Sequence, residues 1–85
     1  MPWALAITKP ASRDLNGLSR DDLRRISAAF VAMRGDPYSG DIKFLKGSGG
    51  ALRRRVGPWR ILFEVHQDTR TIVILGVRRR TTTTY

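Results

Sequence analysis

The sequence predicts an α+β domain with two helices packed on one face of a twisted antiparallel sheet, in the order β-α-α-β-β-β(-β). Three observations carry this expectation. Leu23, Ile26, Phe30 and Met33 recur at helical spacing and form one apolar stripe. Trp59, Ile61, Phe63 and Val65 alternate with more polar residues at the period of a strand. Strand-like runs follow the helical segment instead of alternating with it, which separates α+β from α/β.

The elements follow in order along the chain. Trp3 to Thr8 reads as a short apolar strand, stopped by Pro10. Residues 10–17 (PASRDLNG) read as a short helix, with Pro10 at its first position and Gly17 as its stop. Ser19 is the expected N-cap of a second helix. Asp21 and Asp22 fall in its first turn, where acids favour the positive end of a helix dipole. Gly35-Asp36-Pro37 ends that helix. Residues 35–50 read as a glycine-punctuated loop around a short strand at Ile42–Leu45. The Gly47-Ser48-Gly49-Gly50 run lacks the Lys-Ser/Thr ending of a phosphate-binding loop. The last strands are Leu52–Val56, Trp59–His66 and Thr71–Arg78, and Gly57-Pro58 suits the two-residue turn of a tight hairpin.

A chain of 85 residues with 41% apolar content is one domain, spanning residues 1–85, with a modest core. Without cysteine it forms no disulfide, thiolate site or thiol nucleophile. His66 is its single histidine, so a multi-histidine metal centre within one chain is excluded. The apolar opening Trp3–Ile7 is too short to span a bilayer and lacks the flanks of a secretory signal. These features lead us to expect a soluble cytoplasmic protein without a membrane partner, a metal site or a cofactor.

Charge is distributed unevenly. Residues 1–42 carry six Lys/Arg against five Asp, whereas residues 43–85 carry ten Lys/Arg against Glu64 and Asp68. Such a skew speaks to partners and not to fold, and it points to a polyanion, foremost nucleic acid. A two-residue turn at Gly57-Pro58 sets Val56 opposite Trp59, Arg55 opposite Arg60 and Arg53 opposite Leu62. Arg53, Arg55 and Arg60 then share the face away from the helices. Arg54 falls on the core side and is expected to escape at an edge by snorkelling. Like charges directly opposite each other destabilise a hairpin. A phosphate would supply the missing countercharge, with Glu64 holding neighbouring arginines. The alternative is a solvated arginine-rich surface. Arg78-Arg79-Arg80, four threonines and the aromatic Tyr85 close the chain. This pattern suits phosphate contacts and base stacking on RNA, or else a frayed tail. His66 reads as a turn-proximal histidine more than as a general acid or base.

The run Leu52-Arg53-Arg54-Arg55-Val56-Gly57-Pro58-Trp59-Arg60-Ile61-Leu62-Phe63-Glu64-Val65 resembles the basic hairpin of the RelE/ParE superfamily of type II toxin–antitoxin toxins. Asp36-Pro37-Tyr38, followed by Lys43-Phe44-Leu45-Lys46-Gly47, is similar to the linker of that family. Ile72 to Arg80 is similar to its last strand. The resemblance implies one of two activities. A RelE-like toxin is a ribosome-dependent mRNA endoribonuclease (an mRNA interferase) that inhibits translation and arrests growth. A ParE-like toxin inhibits DNA gyrase and has no nuclease activity.

In the nuclease the 2′-hydroxyl attacks the adjacent phosphorus and the 5′-oxygen leaves, with no metal or cofactor. By position, the resemblance gives Arg60 the transition-state charge, Arg79 or Arg80 the leaving oxygen, and Tyr85 a stacked base. It places Arg55 in the catalytic group. RNA contacts fall to Lys43, Lys46, Arg53, Arg55 and Arg78. Arg53 and Arg55 stand where lysines are common in the family. An arginine practically never deprotonates, so proton transfer would fall to Glu64, His66 or the ribosome. The implied partners are a cognate antitoxin, the ribosome and mRNA, or alternatively DNA gyrase.

Overall fold

The computed structural model describes residues 2–47 and 49–79. The chain runs β1 (Ala4–Ile7), α1 (Lys9–Asn16), α2 (Arg20–Gly35), β2 (Asp41–Phe44), β3 (Leu52–Val56), β4 (Trp59–His66) and β5 (Thr71–Arg79). The five strands form one sheet in the order β1-β5-β4-β3-β2. The last four strands pair antiparallel, as the sequence predicts. β1 joins β5 in parallel, so the sheet is mixed. A parallel neighbour needs a crossover, and here most of the chain provides it.

Local chemistry sets the helix ends. Thr8 belongs to the cap of α1 and not to the strand: its Oγ1 accepts from Ala11 N (3.3 Å) and donates to the Ile74 carbonyl (2.8 Å). Ser19 caps α2 through Oγ, which accepts from Asp22 N at 3.2 Å. Ile26, Ala29, Phe30 and Met33 of α2 are buried, while Leu23, the first member of the expected stripe, stays exposed. Their core partners across the sheet are Leu52, Ile61, Phe63, Ile72, Ile74 and Val77. Trp3 fastens the N-terminus to the end of α2. Its N–H donates to the Arg34 carbonyl (2.8 Å), and Arg34 Nε donates back to the Trp3 carbonyl (2.9 Å).

One irregularity decides which way the end of β5 faces. Leu62 pairs with Gly76, but Phe63 pairs with Ile74, leaving Leu75 as the extra residue of a bulge. A bulge reverses the alternation beyond it. Ile72 and Ile74 face the helices before it, and Val77 and Arg79 face them after it. Arg78 is thereby turned to the opposite face. Beyond the reach of β1, the Val77 N–H is satisfied by α1, donating to Asp14 Oδ2 at 2.9 Å. A Cβ at Gly76 would lie 3.2 Å from that carboxylate oxygen, so a glycine suits this approach.

Among the described residues no helix is long and apolar enough to cross a membrane. Removing the Asp14 carboxylate strands a partly buried backbone donor. Asp14→Ala is expected to lower unfolding stability by about 1–3 kcal/mol in urea titrations, and Asp14→Asn, which keeps an acceptor oxygen, by less.

Candidate nucleic-acid interface

The β3–β4 hairpin has the register expected from a two-residue turn: Val56 opposite Trp59, Arg55 opposite Arg60 and Arg53 opposite Leu62. Gly57 has φ +56°, and proline holds φ near about −65°. That sign pattern belongs to a type II′ turn, whose twist matches the strands. The neighbouring registers extend the arrangement sideways. Asp41 pairs with Arg55 and Arg60 with Arg78, so Asp41, Arg55, Arg60 and Arg78 form one row across four strands. Lys43, Arg53 and Leu62 form the next row. Both lie on the face away from the helices.

Carboxylates sit at the ends of the first row. Asp41 Oδ1 is 3.4 Å from Arg53 Nη1, and its Oδ2 is 3.7 Å from Arg55 Nε. At the other end Asp14 Oδ2 is 3.5 Å from Arg78 Nε. Arg60 stands between them, half-buried, and no carboxylate among the described residues pairs with it. A guanidinium in that position has lost part of its hydration and has gained no anion. It therefore favours an incoming one. Beside it lies an open depression of about 490 Å³ lined by Lys43, Phe44, Leu45, Lys46, Arg53 and Arg60.

Other candidate residues lie elsewhere. Arg79 pairs with Trp59 on the helix side of the sheet, with its guanidinium 5.6 Å from the Trp59 ring. It does not converge with Arg60, whereas Arg78 does. Arg80 and Tyr85 lie outside the described residues. Glu64 does not hold the arginines as expected. Its Oε1 lies 3.0 Å from His66 Nε2, and four residues of strand, about 13 Å, separate it from Arg60. Among the described residues no group of His, Asp and Glu is arranged to hold a metal ion.

Arg54 takes the edge route predicted for it. Its Nη1 donates to the Ser39 carbonyl (2.7 Å) and to Ser39 Oγ (2.9 Å). The guanidinium covers Gly40, which has φ +81°, and a Cβ there would come within 2.6 Å of Arg54 Cζ. Glycine is thus required twice, by the backbone and by the neighbour.

Two partners of the arginines escaped sequence reasoning, Asp41 and Asp14. Each meets its arginine across a distant strand or helix, and neither carries a local motif. Gly76 inside an apolar strand was the available signal for the bulge that reorients Arg78.

The profile of the ParE toxin family of type II toxin–antitoxin systems (parDE) matches residues 5–83. A protein assigned as toxin RelE1 of Methanocaldococcus jannaschii is 31% identical over 83 residues, covering 94% of this chain and 92% of that protein. A chain of the toxin–antitoxin complex RelBE2 from Mycobacterium tuberculosis is 29% identical and superposes with a TM-score of 0.83, covering 94% of this chain and all (100%) of that one. A chain of the archaeal RelE–RelB complex from Pyrococcus horikoshii has a TM-score of 0.82 at 24% identity, covering 98% and 100%, a likeness of fold.

Asp41 is an internal competitor for any anion on this face. Asp41→Asn is expected to bind heparin up to about five-fold tighter in low salt, because an exposed ion pair of this kind is worth about 0.2–1 kcal/mol. Unchanged affinity in a salt titration would show that Asp41 does not screen the site.

Proposed function

The chain belongs to the ParE toxin family of type II toxin–antitoxin systems, and we propose that it acts as a RelE-like, ribosome-dependent mRNA endoribonuclease. The observation that carries this reading is Arg60, half-buried at the centre of a row of arginines and without a carboxylate partner. In-line attack of a 2′-hydroxyl on the adjacent phosphorus forms the 2′-O–P bond as the P–O5′ bond breaks. The products are a 2′,3′-cyclic phosphate and a 5′-hydroxyl. Negative charge builds on the equatorial oxygens, and a positioned guanidinium is suited to stabilise it. Arg53, Arg55 and Lys43 hold the flanking phosphates, and Arg78 extends the positive face beyond Arg60.

The proton from the 2′-hydroxyl has no evident acceptor here. Arginine does not serve, and Glu64 and His66 lie too far along β4 from Arg60. The protein therefore contributes charge and geometry, and the decoding site of the ribosome completes the reaction. This accounts for dependence on the ribosome and predicts slow cleavage of free RNA. The same lack of an acceptor favours a second reading, a ParE-like gyrase inhibitor that binds without chemistry.

Both structures compared above were solved as toxin–antitoxin complexes. By the same logic a cognate antitoxin restrains this chain. An acidic or amphipathic segment of it would cover the arginine row and exclude phosphate. The toxin acts where translation occurs, in the cytoplasm.

In a reconstituted translation reaction the wild-type protein is expected to cut the message, and Arg60→Ala to cut it at least about 100-fold more slowly. Intact message at stoichiometric protein overturns the nuclease reading. Accumulation of gyrase–DNA cleavage complexes in its place would establish the alternative.

A further inference from the structure

Arg78 shares the face and the row of Arg60, but the two side chains lean apart. Arg60 lines the depression formed with Lys43, Lys46 and Arg53, and Arg78 does not. A Cβ placed on Gly76 would lie 3.4 Å from Arg78 Nε and 3.8 Å from Arg78 Nη2. The Arg78 side chain therefore runs back along β5, over the bare backbone of Gly76. Asp14 meets it there: the oxygen that accepts the Val77 N–H at 2.9 Å also lies 3.5 Å from Arg78 Nε. That oxygen would be 3.2 Å from the same Cβ, so acid and guanidinium share the space a side chain at Gly76 would take.

Gly76 pairs with Leu62, two residues along β4 from Arg60. Two residues of strand span about 7 Å, comparable to one nucleotide of an extended strand. The ion pair uses Nε of Arg78, which leaves the Nη groups to an anion, and the side chain is 64% exposed. Setting the two guanidinium groups apart also lessens their repulsion in the free protein. We propose that Asp14 is a positioning residue: it seats Arg78 over Gly76, so that Arg60 and Arg78 hold successive phosphates of the RNA strand and not one shared phosphate. This rests on the RNA-binding reading of the arginine face and adds a second phosphate subsite to it. Arg60 then meets the reacting phosphate without Arg78, and Arg78 fixes the path of the strand beyond it.

The test is the salt dependence of binding of a short single-stranded RNA, followed by fluorescence anisotropy. Each phosphate neutralised on a single strand adds about 0.7 to the slope of log K against log salt. Arg60→Ala and Arg78→Ala are each expected to lower the slope by about 0.7, and the double variant by about 1.4. At one salt concentration their losses of affinity should multiply to within about two-fold, as for independent sites. Asp14→Asn keeps an acceptor for the Val77 N–H, and Gly76→Ala changes no charge. Each should release Arg78 toward Arg60, so that in either background the two arginine losses no longer multiply. The inference is overturned alone if the double variant loses only the slope of one single variant, the mark of a shared phosphate. It is also overturned if the losses still multiply in both backgrounds, which would leave Asp14 its backbone contact only. A broken product in Asp14→Asn but not in Gly76→Ala overturns it too, because charge and not the seat would then be the cause. If wild type binds no RNA even in low salt, the underlying reading falls as well.

Discussion

The opposition of Arg55 and Arg60 is the constraint on which the rest of the site depends. Two guanidinium groups directly across a hairpin are unfavourable, and the two-residue turn at Gly57-Pro58 sets the register that places them there. Lengthening that loop by one residue would shift the register and send one set of side chains to the other face. The apolar set Ile61 and Phe63, buried against the helices, resists such a slip. The hydrophobic core therefore holds the charges in their unfavourable arrangement, and stability in one layer sustains electrostatic frustration in the other.

That frustration is relieved at the ends of the row and left standing in the middle. Asp41 serves Arg53 and Arg55 from the edge strand, and Asp14 serves Arg78 from α1. Each acid also has a structural task. Asp14 accepts the Val77 N–H, and the Asp41 carbonyl accepts from Arg53 Nη1 at 3.2 Å. The arrangement keeps the free protein folded while leaving Arg60 to meet an external anion. Surface pairs of this kind are weak and screened by salt, so a phosphate strand can displace them. On the proposed reading, an acidic antitoxin segment would compete for the same charges.

Much of this was legible in the sequence because it is local. The hairpin register follows from two turn residues and a period of two, and with it the shared face of Arg53, Arg55 and Arg60. The snorkelling of Arg54 follows from the same parity. The parallel seating of β1 on β5 does not, since it joins residues about 67 positions apart in the chain (Ala4 with Thr71) and no local pattern encodes it. Parity also failed at Leu75, where one bulged residue exchanges the faces of Arg78 and Arg79. Family resemblance pointed to Arg79 or Arg80, and the structure brings Arg78 beside Arg60. Glu64 looked like a partner for the arginines because it shares their face, but it lies four residues along β4 from Arg60, Arg53 pairs with Asp41, and Glu64 itself meets His66.

On the proposed reading, one face of the sheet, and not the arginines of the helices, grips the nucleic acid strand. Nitrogen-15 spectra of the arginine Nε groups during titration with a short single-stranded RNA test it most directly. Arg53, Arg55, Arg60 and Arg78 are expected to respond together, with Arg60 the most strongly, while Arg20, Arg24 and Arg25 of α2 stay unmoved. A response centred on the helical arginines, with Arg60 silent, would contradict it.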